Sequence, residues 1–370
     1  MTRRLRLSLT AWRRLAQRVD GRRSQLTWST KLAYCLSGVA HSSLFTLQSA
    51  SHADALRGCV PHPPLFVLGF WRSGTTLLHE LFCCDPRFGF PSTYACLNPS
   101  HFLLSEAWAK GRDARQTSRP MDSMFYSWAS PQEDEFALLA LGAPSPYEAL
   151  IVPSLMRQPK ALLDLRQRTS EEQKRWVEAL QSFLRLLTVQ QRKAMVLKSP
   201  PHGFKLPLLL SLFPQARYVV IERNPYEVFA SNLKLWRTLL DLYAVESWSA
   251  EEIEQFVLEA YILHEEAISE ALSMARPGQM ARVRYEELVA DPIRQMERLY
   301  RELELASFAL VREPMTKHAQ AVAGHTRNRF VLSAAQKARV ESVWGSLLKA
   351  KHYCWPEECL SLVQTAVPPG

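Results

Sequence analysis

Four short runs of apolar, often β-branched residues predict buried strands along the chain. They cover 64–69, 194–198, 217–222 and 280–285. Apolar residues at helical spacing lie between and after these runs, and they predict helices near 75–83, 132–142, 170–190, 203–212, 225–240, 250–275, 291–303 and 333–349. Strands that alternate with helices indicate an α/β fold, with a central parallel sheet flanked by helices on both faces.

Polar residues follow the predicted strands closely. Arg72, Lys198, Arg223 and Tyr285 each lie at or just past the carboxyl end of a strand. In parallel sheets, ligands bind beyond these ends. The topology therefore groups the four residues in one candidate site, without reference to any motif.

The N-terminal region is strongly basic, within a chain of net charge +9. The first 23 residues hold eight Arg and one Asp. Apolar residues fall near helical spacing on one face of this segment: Leu5, Leu9, Trp12, Ala16 and Val19. We interpret 1–60 as a basic helical arm and 61–370 as one α/β domain, since no linker divides it. A peripheral membrane contact and a helix packed on the domain are both open for the arm. Nucleic-acid binding is not expected, because no recognised module accompanies the charge.

Composition sets further limits on the class of protein. Hydrophobic residues make up 47% of the 370 residues, which is enough for a large core. No apolar run reaches the roughly 18 residues that span a bilayer, and no signal-peptide pattern follows the Arg residues. We therefore expect a cytoplasmic protein, with membrane association left open. Seven scattered Cys without a C-x-x-C pair predict neither a disulfide framework nor a zinc site.

A glycine-bounded loop joins the first predicted strand to the first predicted helix of the domain. Its sequence, GFWRSGTT at 69–76, nearly matches a Walker A loop, in which backbone N–H groups and a helix N-terminus hold a phosphate. Thr75 stands where the Walker A Lys would be, and the loop's cation is Arg72. Such a loop predicts binding of a 5′-phosphate rather than handling of a γ-phosphate.

Two segments resemble motifs of the sulfotransferases that use 3′-phosphoadenosine 5′-phosphosulfate (PAPS). Residues 70–76 resemble that family's 5′-phosphosulfate loop, roughly [KR]-S-G-T-T between a strand and a helix. Residues 216–231 are similar to its 3′-phosphate motif, in which Arg223 ends a strand, Asn-Pro follows, and Ser231 comes eight residues after the Arg. The motifs occur in the family's order, and the resemblance covers about 62–345.

This resemblance implies a P-loop-like fold and a metal-independent enzyme. The enzyme would transfer a sulfuryl group from PAPS to a hydroxyl and release adenosine 3′,5′-bisphosphate. The resemblance also implies the donor contacts: Arg72, Ser73, Gly74, Thr75 and Thr76 for the 5′-phosphate, Arg223 and Ser231 for the 3′-phosphate, and Tyr285, Asn328 and Arg329 around the nucleotide.

Catalytic roles follow from the same resemblance. Lys198, in Lys-Ser-Pro, is similar to the transition-state Lys of the tyrosylprotein sulfotransferases, and Arg72 would meet charge that develops on the bridging oxygen. The general base is harder to assign. The tyrosylprotein enzymes carry a Glu in the segment that corresponds to 90–95, but this chain has no acid there. Glu133 is preferred, since Pro-x-Glu resembles bacterial sulfotransferases. Other candidates stay open: Glu135, Glu80, His79 and His202.

Competing functions and acceptors remain. A P-loop kinase or NTPase is disfavoured by the missing loop Lys and by the lack of an apolar strand that ends in Asp. A non-catalytic nucleotide-binding or membrane-peripheral protein, with the basic arm as its main device, is a third alternative. The aromatic-rich segment 85–190 favours a small-molecule or lipid alcohol as acceptor, with a carbohydrate as the alternative. Its rings could equally be core: Tyr94, Phe102, Trp108, Phe125, Tyr126 and Trp128.

Overall fold

A parallel five-stranded sheet is the centre of the computed structural model, which describes residues 5–112, 117–118, 125–323 and 332–355. The strands are β1 Leu65–Leu68, β2 Phe88–Gly89, β3 Thr117–Ser118, β4 Phe125–Tyr126, β5 Ala194–Lys198, β6 Arg217–Glu222 and β7 Met280–Arg284. The sheet order is β2-β5-β1-β6-β7, with every neighbouring pair parallel, while β3 and β4 pair antiparallel. The predicted α/β class with a central parallel sheet is confirmed, and the two-residue β2 is an addition to it.

Helices surround the sheet and precede it in the chain. They are α1 Leu9–Ala16, α2 Trp28–Ser51, α3 Ala53–Arg57, α4 Thr75–Cys83, α5 Thr93–Leu97, α6 Phe102–Arg112, α7 Glu135–Leu141, α8 Pro159–Leu163, α9 Ser170–Gln191, α10 Leu206–Leu212, α11 Pro225–Tyr243, α12 Ala250–Met274, α13 Tyr285–Ala290, α14 Pro292–Glu302, α15 Arg312–Val322 and α16 Ala334–Ala350. Short 3₁₀ helices cover Pro146–Leu150, Pro153–Arg157, Leu165–Gln167, Pro200–Lys205 and Phe308–Leu310. Each of the eight predicted helices has a counterpart here. The helices at 9–57 and several short ones were not individually predicted.

The sheet is buried on both faces. Phe66 of β1 packs in one core with Trp176 of α9, whereas Val67 lies in a second core with Leu78 of α4 and Leu299 of α14. Successive strand residues point to opposite faces, so a strand buried on both sides must be apolar throughout. This explains the continuous apolar runs in the sequence and gives three layers: helices, sheet, helices.

Parallel pairing aligns the carboxyl ends of the central strands. In the register, Val67 of β1 lies beside Lys198 of β5 and Val219 of β6. The loops that follow β1, β5 and β6 therefore emerge at the same edge of the sheet, as the sequence predicted.

The N-terminal helix α1 packs on the rest of the protein. Trp12 and Leu15 are buried in a core cluster, and Arg14 and Arg18 both form ion pairs with the buried Glu148. Of the two alternatives for the arm, the structure thus shows the packed helix for α1, whose apolar face is covered. No helix in the described ranges is long and apolar enough to cross a membrane.

The cysteines only partly follow the prediction. Five are free thiols: Cys35, Cys59, Cys83, Cys84 and Cys96. Cys354 is disulfide-bonded, which the scatter of Cys along the chain did not predict.

Candidate active site

Two glycines shape the loop between β1 and α4. A Cβ atom on Gly69 would lie 2.7 Å from the carbonyl oxygen of Ile221. Gly74 has φ of +98°, and a side chain there would overlap the ring of Tyr285. Both positions therefore require glycine, one for close approach to β6 and the other for its left-handed backbone and the neighbouring ring.

Polar groups of this loop are available to an anion. The hydroxyl of Ser73 is buried and has no hydrogen-bond partner among the described residues. Helix α4 begins at Thr75, and its N-cap, Gly74, has no side chain to accept from the first-turn N–H groups. Free N–H groups and the positive end of a helix dipole favour an anion at this position. The residues present thus fit the 5′-phosphate that the sequence predicts here.

The two predicted phosphate motifs meet in space. Nε of Arg72 donates to Oγ of Ser231 over 2.9 Å, and Nη1 of Arg223 donates to the backbone oxygen of Arg72 over 3.2 Å. Arg72 holds φ of +69°, a strained value for a residue with a side chain. The strained loop is therefore braced by the residues of the second motif.

Arg223 lies between a carboxylate and an aromatic ring. Its Nε donates to Oε2 of Glu227 over 2.9 Å. Its guanidinium lies 4.5 Å from the ring centre of Tyr285, the first residue of α13. Because Tyr285 also borders Gly74, one ring connects the two phosphate motifs. Ser231 contacts Arg72 rather than Arg223 in this arrangement.

Glu133 and Lys198 form an ion pair near the loop. Nζ of Lys198 lies 2.9 Å from Oε1 of Glu133. The Lys198 side chain is almost fully buried, whereas that of Glu133 keeps 17% of its surface exposed. The hydroxyl of Tyr147 donates to the other oxygen, Oε2. The carboxylate is thus held at both oxygens and still reaches solvent, so an incoming hydroxyl could approach it.

Tyr147 is a site residue that the sequence analysis missed. Its hydroxyl accepts from Nε1 of Trp71 over 3.2 Å, so it connects the phosphate loop to Glu133. Burial and the neighbouring Glu133 raise the pKa of Tyr147 well above its usual value. No spacing pattern relates these residues. The one local signal was the capping box between Ser145 and Glu148, which fixes the 3₁₀ helix that carries Tyr147.

The acids next to Glu133 are fully buried. Asp134 contacts Nε2 of His202 at 2.6 Å and accepts from the hydroxyl of Ser199 at 2.9 Å. Burial opposes ionisation of Asp134, but His202 and the hydrogen bonds hold its pKa below the usual value. Glu135 accepts from Lys205 over 2.8 Å, and burial lowers the pKa of that Lys. Glu135 and His202 are thus enclosed, which leaves the half-buried Glu133 as the acid of this group that reaches solvent.

The two candidates on α4 lie elsewhere. His79 is buried, and its Nε2 lies 3.4 Å from the backbone oxygen of Val196. Glu80 is paired with His318 at 3.3 Å. Both residues have partners outside the Glu133 and Lys198 pair.

Other predicted residues have mixed placements. Asn328 and Arg329 lie outside the described residues. Tyr94 and Phe102 are buried core rings, whereas Trp108 is exposed. The side chains of Phe125 and Tyr126 are not among those described. Within the described ranges, no group of three or more His, Cys, Asp or Glu is placed to hold a metal ion.

Comparisons with known proteins show the family of the chain. A family model described as "Sulfotransferase family" matches residues 63–309. The omega-hydroxy-beta-dihydromenaquinone-9 sulfotransferase Stf3 of Mycobacterium bovis is 32% identical over 348 residues, which cover 94% of this chain and 90% of the relative.

Solved structures show the same fold. The sulfotransferase STF9 from Mycobacterium avium has a TM-score of 0.63 at 21% identity, over 94% of this chain and 97% of the other. The sulfotransferase STF1 from Mycobacterium tuberculosis has a TM-score of 0.62 at 20% identity, over 91% and 92%. From the family match and the relative similar over nearly its whole length, we conclude that the chain belongs to the sulfotransferase family.

Proposed function

We propose that the protein is a PAPS-dependent O-sulfotransferase that acts on the hydroxyl of a small, lipid-like alcohol. The observation that carries this proposal is the Glu133–Lys198 pair, 2.9 Å apart, connected through Tyr147 and Trp71 to a phosphate loop. A base and a cation beside an anion site are the parts that sulfuryl transfer to a hydroxyl needs.

The phosphate loop would hold the 5′ side of the donor. The hydrogen-bond donors in this loop include the hydroxyl of Ser73, which has no partner among the described residues, and the first-turn N–H groups of α4, at Thr75 and Thr76. Gly74 lets a ligand approach the backbone closely. Arg72 adds the positive charge, and it would exchange part of its contact with Ser231 for the phosphate.

The second motif would hold the 3′-phosphate. Arg223 already binds an anionic group, the carboxylate of Glu227, and a phosphate would take that place. Ser231 is connected to Arg223 through Arg72, whose Nε donates to the Ser231 hydroxyl. Tyr285 would flank the nucleotide, and Asn328 and Arg329 stay proposals from the sequence.

On the acceptor side, one proton would pass from the acceptor hydroxyl to Glu133. When bound, PAPS supplies the sulfuryl group. Glu133 would take the proton of the attacking hydroxyl, because its half-buried carboxylate still reaches solvent. Lys198 would stabilise negative charge that builds up on the transferring group. Tyr147 holds the carboxylate in position from the other side.

The acceptor class rests on the relative. Stf3 of Mycobacterium bovis is named for a hydroxylated menaquinone, a lipid alcohol. At 32% identity, this favours an amphipathic alcohol here over a carbohydrate. A cytoplasmic location and a membrane contact of the basic arm stay predictions from the sequence.

Calorimetric titration of adenosine 3′,5′-bisphosphate tests the donor site. We expect micromolar binding to wild type, no comparable binding of ATP with Mg²⁺, and a loss of about 2 kcal/mol or more in Arg223→Ala. Arg217→Ala is the matched control, because Arg217 lies at the other end of β6 and bonds the backbone of Leu303. Tighter binding of ATP would instead support the kinase alternative.

Transfer assays test the acceptor. Sulfur-radiolabelled PAPS would be incubated with an ω-hydroxylated prenyl quinone and, separately, with simple sugars. Label in the quinone supports the proposal, and label in the sugar alone contradicts its acceptor class. Bisphosphate binding without transfer to any alcohol would favour a non-catalytic nucleotide-binding protein.

A further inference from the structure

Helix α2 exposes an apolar stripe along its whole length. Its large exposed side chains are Trp28, Leu32, Leu36, Val39 and Leu47, with exposed fractions from 41% to 75%. Their spacing of three, four and eight residues places them on one face of the helix. The residues between them on this face are small and uncharged: Cys35, Ala40, Ser43 and Thr46.

This stripe is long and nearly without charge. A helix of 24 residues extends about 36 Å. Lys31 is its one Lys, Arg, Asp or Glu. Helices on a protein surface normally turn a charged face to water. The outer face of α2 therefore has the composition of a surface that becomes covered.

The opposite face of α2 is fixed to the protein. The ring of Tyr34 stacks on Trp12 of α1 with centroids 4.2 Å apart. A Cβ atom on Gly38 would lie 2.9 Å from the Cα of Leu9, so the two helices touch at their backbones. Gln48 bonds the backbone of Pro99 at 2.9 Å. The stripe is thus held on a rigid support.

Nearly all of the net charge lies in the same part of the chain. Residues 1–60 contain ten Lys and Arg against two Asp, whereas the other 310 residues contain 35 basic and 34 acidic residues. Arg14, Arg18 and Arg23 pair with carboxylates of the domain. Among the other basic residues of this part of the chain, Arg13, Arg22 and Lys31 are exposed, and Lys31 lies on α2 itself.

We propose that the exposed face of α2 docks on an anionic lipid bilayer and lies in the plane of its interface. An apolar stripe with Trp at one end, accompanied by basic residues, is the pattern of interfacial helices. A second copy of this chain would bring the exposed cations of two identical N-terminal regions toward each other, which is unfavourable. Anionic headgroups would instead complement the charge.

The packed face of α2 is connected by hydrogen bonds to segments that precede Glu133 in the chain. Gln48 also accepts from the backbone N–H of Leu103, at the start of α6. Helix α5 precedes α6 in the chain and bonds the turn at 128–130. The backbone N–H of Thr93 donates to the backbone oxygen of Ser130 over 2.8 Å, and that of Tyr94 donates to the backbone oxygen of Trp128 over 3.0 Å. The turn at 128–130 leads along the chain to Glu133. The proposal concerns binding only and stands whether or not the proposed reaction is right.

Vesicle flotation with the full chain tests the docking surface. Wild type is compared with Leu36→Glu on vesicles of phosphatidylcholine alone and of phosphatidylcholine with phosphatidylglycerol. We expect wild type to float with the anionic vesicles, less so at high salt, and Leu36→Glu to bind about tenfold more weakly or worse. Leu310→Glu is the matched control, an exposed Leu on the 3₁₀ helix Phe308–Leu310, and should bind like wild type.

Several outcomes would overturn the proposal. They are absence of wild-type binding to anionic vesicles, equal binding by Leu36→Glu, and equal loss in Leu310→Glu. Light scattering without vesicles tests whether a second copy covers the face instead. If wild type is a dimer that does not bind vesicles, and Leu36→Glu is a monomer, the face belongs to an interface between two copies. If Leu36→Glu does not fold by circular dichroism, Val39→Ser replaces it under the same criteria.

Discussion

The donor side and the acceptor side of the candidate site are held in different ways. The donor side consists of loop 69–76 with Arg223, Ser231 and Tyr285. Its parts follow β1, β6 and β7, which are neighbours in the sheet. Backbone conformation shapes it, through glycine at 69 and 74. Such a site is set mainly by strand ends and helix starts.

The acceptor side, Glu133, Lys198 and Tyr147, depends on buried charges from distant segments. Glu133 precedes α7. Glu135, in the first turn of α7, forms an ion pair with Lys205. Tyr147 precedes Glu148, which is fully buried and paired with three Arg: Arg14, Arg18 and Arg168. The N-terminal arm is therefore ion-paired to the segment that holds Tyr147, the partner of the proposed base.

This difference predicts two kinds of sensitivity. The donor side should respond most to changes in backbone freedom and to loss of its Arg residues. The acceptor side should respond most to the loss of a buried charge, even far from the reacting atoms, because the remaining charges are left unpaired.

The largest effect is expected for Glu133→Gln. Glutamine keeps the shape and can still contact Lys198, but it cannot take a proton. We expect kcat to fall about a thousandfold, with binding of adenosine 3′,5′-bisphosphate unchanged. Sulfur-radiolabelled PAPS with the acceptor alcohol gives the rate, and calorimetry gives the binding.

Glu80→Gln is the control for this experiment. Glu80 is an acid of the same type, paired with His318 away from Lys198. It should keep nearly full activity. If Glu80→Gln loses activity and Glu133→Gln does not, the base is misassigned and the acceptor side lies elsewhere.

The next effect concerns stability. Glu148→Gln leaves three guanidinium groups around a neutral, buried side chain. We expect a loss of about 3 kcal/mol in the free energy of unfolding, measured with urea. Glu313→Gln breaks an exposed pair with Lys317 and should cost less than about 0.5 kcal/mol. Equal, small losses in both variants would show that the arm does not brace the acceptor side through charge.

The grouping of the donor-side residues could be predicted from the sequence because its information is local. Gly74 and Arg72 sit in a contiguous loop, and Ser231 keeps a fixed spacing from Arg223 along one helix start. The strands next to them are apolar throughout, so their bounds at 194–198 and 217–222 were predicted correctly.

The acceptor side and the arm could not be predicted in the same way. Tyr147 meets Glu133 through tertiary folding, and no period along the chain relates them. Helix α2 was not predicted separately, because its large apolar side chains lie on both the packed face, as at Tyr34, and the exposed face, as at Leu36. It therefore lacks the two-faced pattern that marks a surface helix. Ion pairs between residues far apart in the chain, such as Arg14 and Glu148, cannot be predicted from local sequence patterns.

Gly74→Ala tests the backbone dependence of the donor side. Alanine must adopt a left-handed φ of +98° and displace the Tyr285 ring, so we expect a cost of about 1 to 3 kcal/mol and a roughly tenfold weaker bisphosphate affinity. Gly345→Ala, on helix α16 with open space around it, should be neutral or stabilise by up to about 1 kcal/mol. Unchanged affinity in Gly74→Ala would contradict a donor side shaped by glycine.

The smallest effect is expected for Tyr147→Phe, which removes one hydrogen bond to Glu133. We expect a decrease in kcat of about fivefold, equivalent to about 1 kcal/mol. Burial and Glu133 raise the pKa of Tyr147, so its hydroxyl stays protonated and donating as the pH rises. The ratio of wild-type to variant kcat should therefore stay constant from about pH 6 to 10, although an ordinary Tyr titrates near pH 10. Tyr218→Phe, on β6 and bonded to the backbone of Leu209, serves as the control. A ratio that falls toward one at alkaline pH would mean that Tyr147 ionises there, and that the acceptor side is more open to water than its buried contacts indicate.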